Sequence, residues 1–268
     1  MGTPPVIELR EVSLAFDEKQ VLSNISFRID LGETLFLLGV AGSGKSLLLK
    51  LTLGLLKPDS GQVLVHGRDL TSLPEVELDP FRRRMGIVFQ EGALFDSLSV
   101  YENVAYRLRE AGFLNEEEIE PRVRQVLRFV DMEGAIDKMP SELSGGMRRR
   151  VAIARAIISE PEIMLYDSPT AGLDPVTGHT ITVQIAKLRD VHHVTSLFVT
   201  HQLQDAYFLS NYVFLEGKEA LVPALSVDHG SAMPLTRFLL LRDGSIYFQG
   251  TPQELAGTHD PYLLKYLA

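Results

Sequence analysis

The stretch GVAGSGKS at residues 39–46 has the residue types and spacing of a loop that binds phosphate. An apolar run at 35–38 directly precedes it, which predicts a strand, then a glycine-rich loop, then a helix. Glycines let the backbone fold closely around an anion with N–H groups pointing inward. Lys45 supplies a positive charge for the β- and γ-phosphates, and Ser46 supplies a hydroxyl for Mg²⁺.

This loop predicts that the chain binds a nucleoside triphosphate; the alternative is a glycine-rich turn that merely exposes a lysine. The residues expected to contact the nucleotide here are Gly39, Val40, Ala41, Gly42, Ser43, Gly44, Lys45, Ser46 and Leu47.

The composition narrows the class of protein. The chain has 268 residues, of which 45% are hydrophobic, so it can bury a sizeable core. A net charge of −9 argues against general binding of nucleic acid, and we expect the arginine runs at 82–84 and 148–150 to be solvated faces. No apolar run approaches the roughly 18–20 residues that cross a bilayer, and the N-terminus lacks a signal pattern. The absence of cysteine excludes disulfides and cysteine-ligated metals and is compatible with a reducing cytosol.

The order of patterns predicts an α/β fold. Residues 6–38 are rich in strand formers, and residues 91–159 read as helices. A helix is predicted from Lys45 to about Leu55, before the breaker cluster at 57–61, and MGIVFQ is predicted as a strand that ends at Gln90. Strand patterns return at IMLYD, which ends at Asp167, and at VTSLFVT, which ends at Thr200, with a helix over 176–190 between them. Strands that alternate with helices favour a mostly parallel sheet. A hairpin that turns at Asp243-Gly244 is predicted near the C-terminus.

Further motifs follow the phosphate loop in an order that resembles the ATP-binding cassette (ABC) ATPases. LSGGM at 143–147 resembles the signature sequence of that family, and the others resemble its Q-loop glutamine (Gln90), Walker B aspartate (Asp167), D-loop (Ala171 to Pro175, with Asp174), switch histidine (His201) and adenine-stacking aromatic (Phe16). The resemblance implies a P-loop NTPase of ABC type, with a mixed parallel core sheet, an N-terminal antiparallel β-subdomain and a helical lobe. It also implies one domain over 1–268, with a helical subdomain at about 91–159 and a hairpin and insertion region at about 211–250.

The resemblance also assigns roles to these residues. Ser46, Gln90 and Asp167 are expected to hold Mg²⁺, and His201 to contact the γ-phosphate or the attacking water. Ser144, Gly145 and Gly146 cap a helix whose positive end can face a phosphate, and Asp174 of the D-loop is expected to contact the nucleotide. In the family the signature of one cassette closes on the phosphate loop of another, so two copies sandwich two ATP molecules. Plainer alternatives are a strand-end amide for Gln90, a strand-edge histidine for His201, a buried structural Asp167, an ordinary helix cap for Ser144 and a core aromatic for Phe16.

One position departs from the family pattern. The residue after the Walker B aspartate is normally a glutamate that deprotonates water, and here it is Ser168. A hydroxyl can hydrogen-bond a water molecule but cannot take its proton near neutral pH. We therefore expect hydrolysis to be slower by about 10²–10⁴-fold, and a closed ATP-bound dimer to be favoured. Three explanations are open: His201 carries the chemistry while Ser168 positions water, a different partner cassette supplies a glutamate, or the chain was mutated to trap ATP.

Other departures are Leu47, where many cassettes have a hydroxyl residue, Gln202 in place of an acidic residue, and an apparent insertion at about 217–236. The insertion is interpreted either as a tolerated surface loop or as a contact for a partner.

Within the family, the stretches at 90–110 and 139–157 look most like the ATPase subunit of Mla/Mce-type phospholipid transporters. That resemblance implies an MlaE-like integral membrane permease as partner, a second ABC ATPase subunit (a homodimer rather than a heterodimer), and a peripheral position on the cytoplasmic side of the inner membrane. Cargo would be phospholipid. The alternatives are a nucleotide-gated regulatory module with little turnover, supported by Ser168, and a soluble cassette for cofactor assembly or repair.

Overall fold

A computed structural model describes residues 4–112, 114–226 and 235–267. The strands are β1 Ile7–Phe16, β2 Lys19–Ile29, β3 Thr34–Gly39, β4 Ser60–Val65, β5 Arg68–Asp69, β6 Met85–Val88, β7 Ile163–Asp167, β8 Thr195–Val199, β9 Tyr212–Leu215, β10 Ala220–Pro223, β11 Thr236–Arg242 and β12 Ser245–Gly250. The α-helices are α1 Lys45–Thr52, α2 Glu75–Arg82, α3 Val100–Ala111, α4 Glu116–Phe129, α5 Gly145–Ile157, α6 Pro175–His192, α7 Leu203–Asn211, α8 Pro252–Ala256 and α9 Pro261–Leu267.

The chain divides into two compact units. The first unit combines residues 1–81 with residues 186–268, and the second unit consists of residues 82–185.

An antiparallel sheet in the first unit has the strand order β2-β1-β4-β5. Strand β1 pairs with both neighbours, so that Ile7 lies opposite Ile29 on β2 and Val65 on β4. Buried apolar and exposed polar residues alternate along much of β2, as expected for a sheet with one face on the core. This sheet matches the N-terminal antiparallel β-subdomain that the family resemblance implies.

The first unit also contains the strands that lead to the phosphate loop. Strand β3 is buried along its whole length and pairs in parallel with β11 on one side and β8 on the other. Strand β12 pairs antiparallel with β11, which makes this part of the sheet mixed. Three aromatic rings fill the core beside these strands: the Phe36 ring lies 5.2 Å from Phe198 and 5.4 Å from Phe238.

The second unit contains the parallel pair β6–β7 and the helices α3, α4 and α5. Capping boxes begin α3 at Ser99 and α4 at Asn115, because each side chain accepts from a first-turn N–H while a glutamate three residues later accepts from the cap's own N–H. Helix α5 buries Val151, Ala152, Ile153 and Ala154 in the core. The α/β fold with parallel strands, an antiparallel sheet and helices is thus confirmed.

Two element ends differ from the sequence-based expectation. The helix after the phosphate loop ends at Thr52 rather than near residue 55, because Gly54 adopts a left-handed conformation with φ of 66°. The strand that was expected to end at Gln90 ends at Val88, so Gln90 lies in the turn that follows.

The expected insertion at 217–236 is partly described. Strands β9 and β10 form an antiparallel hairpin in which Leu215 pairs with Ala220, and residues 227–234 lie outside the described residues. Within the described ranges, the helices are all too short or too polar to span a membrane.

A glycine in β6 provides a test of the packing in the second unit. A side chain at Gly86 would place its Cβ 2.4 Å from Met164 Sδ and 2.8 Å from the Ala156 carbonyl oxygen. We expect Gly86→Ala to lower the free energy of unfolding by about 1–3 kcal/mol, because the overpacked core must shift. Gly134→Ala is the matched control, since nothing lies within 4 Å of its added Cβ. Chemical denaturation of both variants measures the difference, and equal stability of the two would contradict the packing described.

Candidate nucleotide-binding site

The phosphate loop adopts a backbone that only glycine tolerates at its key positions. Gly39, Gly42 and Gly44 have φ angles of 147°, 78° and 98°. An added Cβ would lie 2.7 Å from the Leu241 carbonyl oxygen at Gly39 and 2.6 Å from Leu22 Cδ2 at Gly44. The loop is therefore fixed both by its own conformation and by the close approach of β11 and β2.

The lysine of the loop is held over the loop's own backbone. Lys45 Nζ lies 2.8 Å from the carbonyl oxygens of both Gly39 and Val40, and donates to them. The side chain is 8% exposed, so its charge is concentrated within the loop. Gly44 is the N-cap of α1 and has no side chain to accept from the first-turn N–H groups, while Ser46 is exposed. A helix start with a glycine cap and a neighbouring ammonium group suits an anion such as a phosphate.

His201 lies at the same edge of the sheet as the phosphate loop. Strands β3 and β8 are parallel neighbours in which Leu37 pairs with Val199, and the N–H of Thr200 donates to the Leu37 carbonyl oxygen at 3.2 Å. Gly39 and His201 each follow this pair by two residues, and paired strands are about 4.8 Å apart. The structure thus brings the exposed His201 beside the loop within the first unit.

Phe16 lies at the exposed end of β1, where 46% of its surface is accessible. The alternative interpretation that it is a core aromatic is therefore wrong. Leu14, two residues earlier, pairs with Leu22, the residue against which Gly44 packs. An exposed ring close to the phosphate loop is suited to stacking on a flat, apolar base.

Asp167 and Gln90 belong to the second unit. Asp167 is the last residue of β7 and is half-buried. Because Val88 on β6 pairs with Tyr166 in parallel, Gln90 and Ser168 follow neighbouring strands at one edge of that pair. Ser168 is 7% exposed and has a left-handed φ of 46°. Its carbonyl oxygen accepts from the N–H of Ala171 at 3.1 Å, which tightens the turn after the strand.

The signature residues form the start of α5, also in the second unit. Ser144 is the N-cap of this helix, and its hydroxyl accepts from the Met147 N–H at 3.3 Å. A Cβ at Gly146 would lie 2.2 Å from Thr177 Cγ2, so only glycine lets α5 pack this closely on α6. The hydrogen bond from the Met147 N–H confirms the interpretation of Ser144 as a helix cap, and a helix start capped in this way can also bind a phosphate.

Asp174 has a structural partner in the described chain. Its carboxylate accepts from the N–H groups of Val176 and Thr177 at 3.1 and 3.0 Å, at the start of α6. Hydrogen bonds from Thr177, side chain and backbone, together with that from Val176, lower the pKa of this carboxyl group. Asp174 thus caps a helix beside the signature glycines, and its expected nucleotide contact stays a prediction.

The expectation that the run at 148–150 is a solvated face is wrong at its central residue. Arg149 is 8% exposed and donates to the Ala171 carbonyl oxygen at 2.7 Å, because α5 turns this side chain toward the D-loop. Burial lowers the pKa of its guanidinium group. A run of like charges gives no signal for such a contact. Only the helical periodicity, taken relative to the buried face of α5, indicates that Arg149 faces inward.

Arg155 is a second residue that sequence reasoning did not single out. Its guanidinium donates to the carbonyl oxygens of Gly92 and Ala93 at 2.9 and 2.8 Å, in the loop that follows Gln90. Burial lowers the pKa of this arginine as well. Helix α5 therefore contacts the D-loop through the buried Arg149 and the loop after Gln90 through the half-buried Arg155.

The expected site residues thus form two groups. The phosphate loop, Phe16 and His201 come together in the first unit. Gln90, Asp167 and Ser168 come together in the second unit, where the signature glycines also contact the D-loop helix.

Comparison with known proteins identifies the family. A family model described as ABC transporter matches residues 22–171. TRIGALACTOSYLDIACYLGLYCEROL 3, chloroplastic, from Arabidopsis thaliana is 38% identical over 97% of this chain and 73% of its own length. The intermembrane phospholipid transport system ATP-binding protein MlaF of Escherichia coli K12 is 35% identical over 86% of this chain and 84% of its own.

Solved structures and other transport systems give the same result. The dimeric ATP-binding cassette MJ0796, in a post-hydrolysis state bound to ADP and Pi, superposes with a TM-score of 0.76 at 30% identity, over 91% of this chain and 98% of that one. ATP-binding proteins of spermidine/putrescine and Fe(3+) import systems also match, at 33% to 39% identity. The chain therefore belongs to the ABC transporter family and is one of its ATP-binding ATPase subunits.

Proposed function

We propose that this chain binds Mg·ATP at residues 39–47 and couples its binding and hydrolysis to a phospholipid permease. The observation that carries the proposal is the glycine-only loop with the buried Lys45 ammonium group at its centre. A buried ammonium group beside the N–H groups of a helix start recognises a polyphosphate tail and no particular base. The exposed Phe16 ring then supplies the contact for adenine.

The donor atoms available to a metal are those that Mg²⁺ prefers. Ser46 offers a hydroxyl, Asp167 a carboxylate and Gln90 an amide oxygen, all of them hard oxygen ligands. Bound Mg²⁺ supplies positive charge that neutralises the charge developing on the phosphates. The protein's own contribution is positional: Lys45 orients the phosphates, and His201 holds the γ-phosphate or the attacking water by a hydrogen bond.

A second copy of the chain is the natural partner for the signature residues. The helix start at Ser144 is exposed and its glycines admit close approach of a phosphate. The similar cassette MJ0796 is a dimer, which supports a homodimer with two nucleotides between its subunits.

The proposed contact with the permease is an aromatic patch beside the loop after Gln90. Phe95 and Tyr106 pack together with ring centroids 4.8 Å apart, yet each is 43% exposed. The buried Asn103 side chain accepts from the Phe95 N–H and donates to the Phe95 carbonyl oxygen, so the backbone that carries this exposed ring is held in place. A rigid exposed aromatic pair is typical of a surface that a partner covers.

The relatives support a proposal for the cargo and the location. Similarity to an intermembrane phospholipid transport protein supports phospholipid as cargo and an MlaE-like permease as partner, and the polyamine and iron importers are the competing choice. We infer a peripheral position on the cytoplasmic side of the inner membrane through that permease.

Ser168 favours a second candidate, a nucleotide-gated module with slow turnover. Its side chain is buried at the end of the Walker B strand, where a general base would act, and a hydroxyl cannot accept a proton from water near neutral pH. Without a carboxylate beside the γ-phosphate, the closed state gains stability from reduced repulsion. The module would then signal by closing on ATP more than by hydrolysing it.

Nucleotide binding is tested by Lys45→Ala. We expect the affinity for Mg·ATP to fall by about 10- to 100-fold, because a charge-assisted hydrogen bond to phosphate contributes about 1.5–3 kcal/mol. Titration with a fluorescent ATP analogue measures the dissociation constant. Lys50→Ala, an exposed lysine on the same helix α1, is the control and should bind as the wild type does. Equal affinity of the two variants would exclude the loop as the site.

The role of Ser168 is tested by Ser168→Glu in the complex with the permease. The added carboxylate should raise the ATP hydrolysis rate by about 10²–10⁴-fold if a missing base limits turnover. Ser168→Gln is the control, because glutamine has the same size as glutamate but cannot accept a proton from water. A wild type that already turns over several ATP molecules per second, with no gain from Ser168→Glu, contradicts the slow module.

The docking patch is tested by the double substitution Phe95→Ala and Tyr106→Ala. We expect an affinity-tagged variant to lose most of the integral membrane protein that copurifies with the wild type, while its affinity for Mg·ATP stays unchanged. Val76→Ala, at an exposed apolar residue on α2, serves as control. Retention of the permease by the double variant would refute this docking surface.

Mass spectrometry of lipids and polyamines in the wild-type complex separates the two cargo classes.

A further inference from the structure

The last described helix reaches back to the first glycine of the phosphate loop. The N–H of Gly39 donates to the hydroxyl oxygen of Tyr266 on α9 at a distance of 3.0 Å. The two residues are 227 positions apart in the chain. No motif of the sequence assigns a role to Tyr266, and its contact is made to the residue at which β3 becomes the loop.

Helix α9 is held firmly in the first unit. Asp260 accepts from the N–H groups of Tyr262 and Leu263, both at 2.9 Å, and so caps the helix. Tyr247 on β12 donates to the same carboxylate at 2.9 Å. The Arg242 guanidinium lies 4.1 Å from the centre of the Tyr262 ring. These contacts attach α9 to the β11–β12 hairpin, so Tyr266 approaches Gly39 from a fixed support.

The buried N–H of Gly39 depends on the Tyr266 hydroxyl oxygen as its acceptor. Gly39 is the last residue of β3 and is buried, with a φ of 147° and the Leu241 carbonyl oxygen close by, so its N–H needs an acceptor within the protein. A buried N–H without an acceptor destabilises the conformation that exposes it. Burial raises the pKa of Tyr266, which keeps its hydroxyl neutral.

We infer that Tyr266 is a positioning residue of the nucleotide site, through which the C-terminal helix sets the conformation of the phosphate loop and hence its affinity for Mg·ATP. This inference rests on the proposed function of the loop. Tyr266 itself touches the backbone at the start of the loop, and its effect on the phosphates passes through Gly39 and the carbonyl group to which Lys45 donates.

Tyr266→Phe tests the inference because it removes the acceptor oxygen and keeps the ring. We expect hydrogen exchange of the Gly39 amide in the nucleotide-free protein to accelerate about three- to ten-fold, the effect of losing one hydrogen bond, and the dissociation constant for a fluorescent ATP analogue with Mg²⁺ to rise by a similar factor. Amides of the antiparallel sheet β1–β2 should exchange at the wild-type rate. Loss of stability alone would instead accelerate both regions.

Tyr262→Phe on the same helix is the matched control, since Tyr262 contributes its ring to the packing. It should leave the Gly39 amide and the nucleotide affinity unchanged. Should Tyr266→Phe fail to fold, Tyr247→Phe replaces it: loss of its bond to Asp260 loosens α9 and should shift both readouts in the same direction by a smaller factor.

The outcomes separate this inference from the proposed function. A wild type that binds Mg·ATP, with a Tyr266→Phe variant whose Gly39 exchange and affinity are unchanged, overturns the positioning role alone. A wild type that does not bind Mg·ATP overturns the proposed function, whatever the exchange rates show.

Discussion

The site depends on one constraint: the backbone of the phosphate loop takes positive φ angles at Gly39, Gly42 and Gly44 while neighbouring residues pack closely against it. Glycine meets the first demand because it has no Cβ, and the Leu241 carbonyl oxygen and the Leu22 side chain impose the second. The buried strand β3 fixes where the loop begins, and α1 fixes where it ends. Lys45 then donates to the carbonyl oxygens of Gly39 and Val40 in this loop. The backbone conformation of the loop therefore determines the geometry of the proposed nucleotide site, and the position of the Lys45 side chain depends on it.

The second unit uses a different principle. Its helix α5 carries the signature glycines at one end, and its arginines donate hydrogen bonds to the loops that follow Gln90 and Ser168. The buried Arg149 and the half-buried Arg155 both donate to carbonyl oxygens, so α5 is tied to these two loops. Ser168 lies among these contacts in place of a base. The family membership establishes the ATPase class, and this one residue controls whether turnover or the bound state dominates in the proposed mechanism.

The sequence predicted the fold class and the family well, because the glycine spacing and the alternation of strands and helices are local signals. It misplaced the end of α1, since the left-handed Gly54 outweighs the apolar run up to Leu56. It treated Arg149 as solvated, because a run of like charges does not reveal which side chain faces inward. It gave no sign of Tyr266, since a contact across most of the chain leaves no local pattern. The roles of individual site residues remain predictions drawn from the family pattern.

The central claim is that backbone amides of the phosphate loop hold the triphosphate, and hydrogen exchange tests it most directly. Addition of saturating Mg·ATP should slow amide exchange within residues 41–46 at least ten-fold, because N–H groups of the loop gain phosphate acceptors, whereas AMP should leave them unchanged. Bound nucleotide without protection of the loop, or equal protection by AMP, would contradict the account.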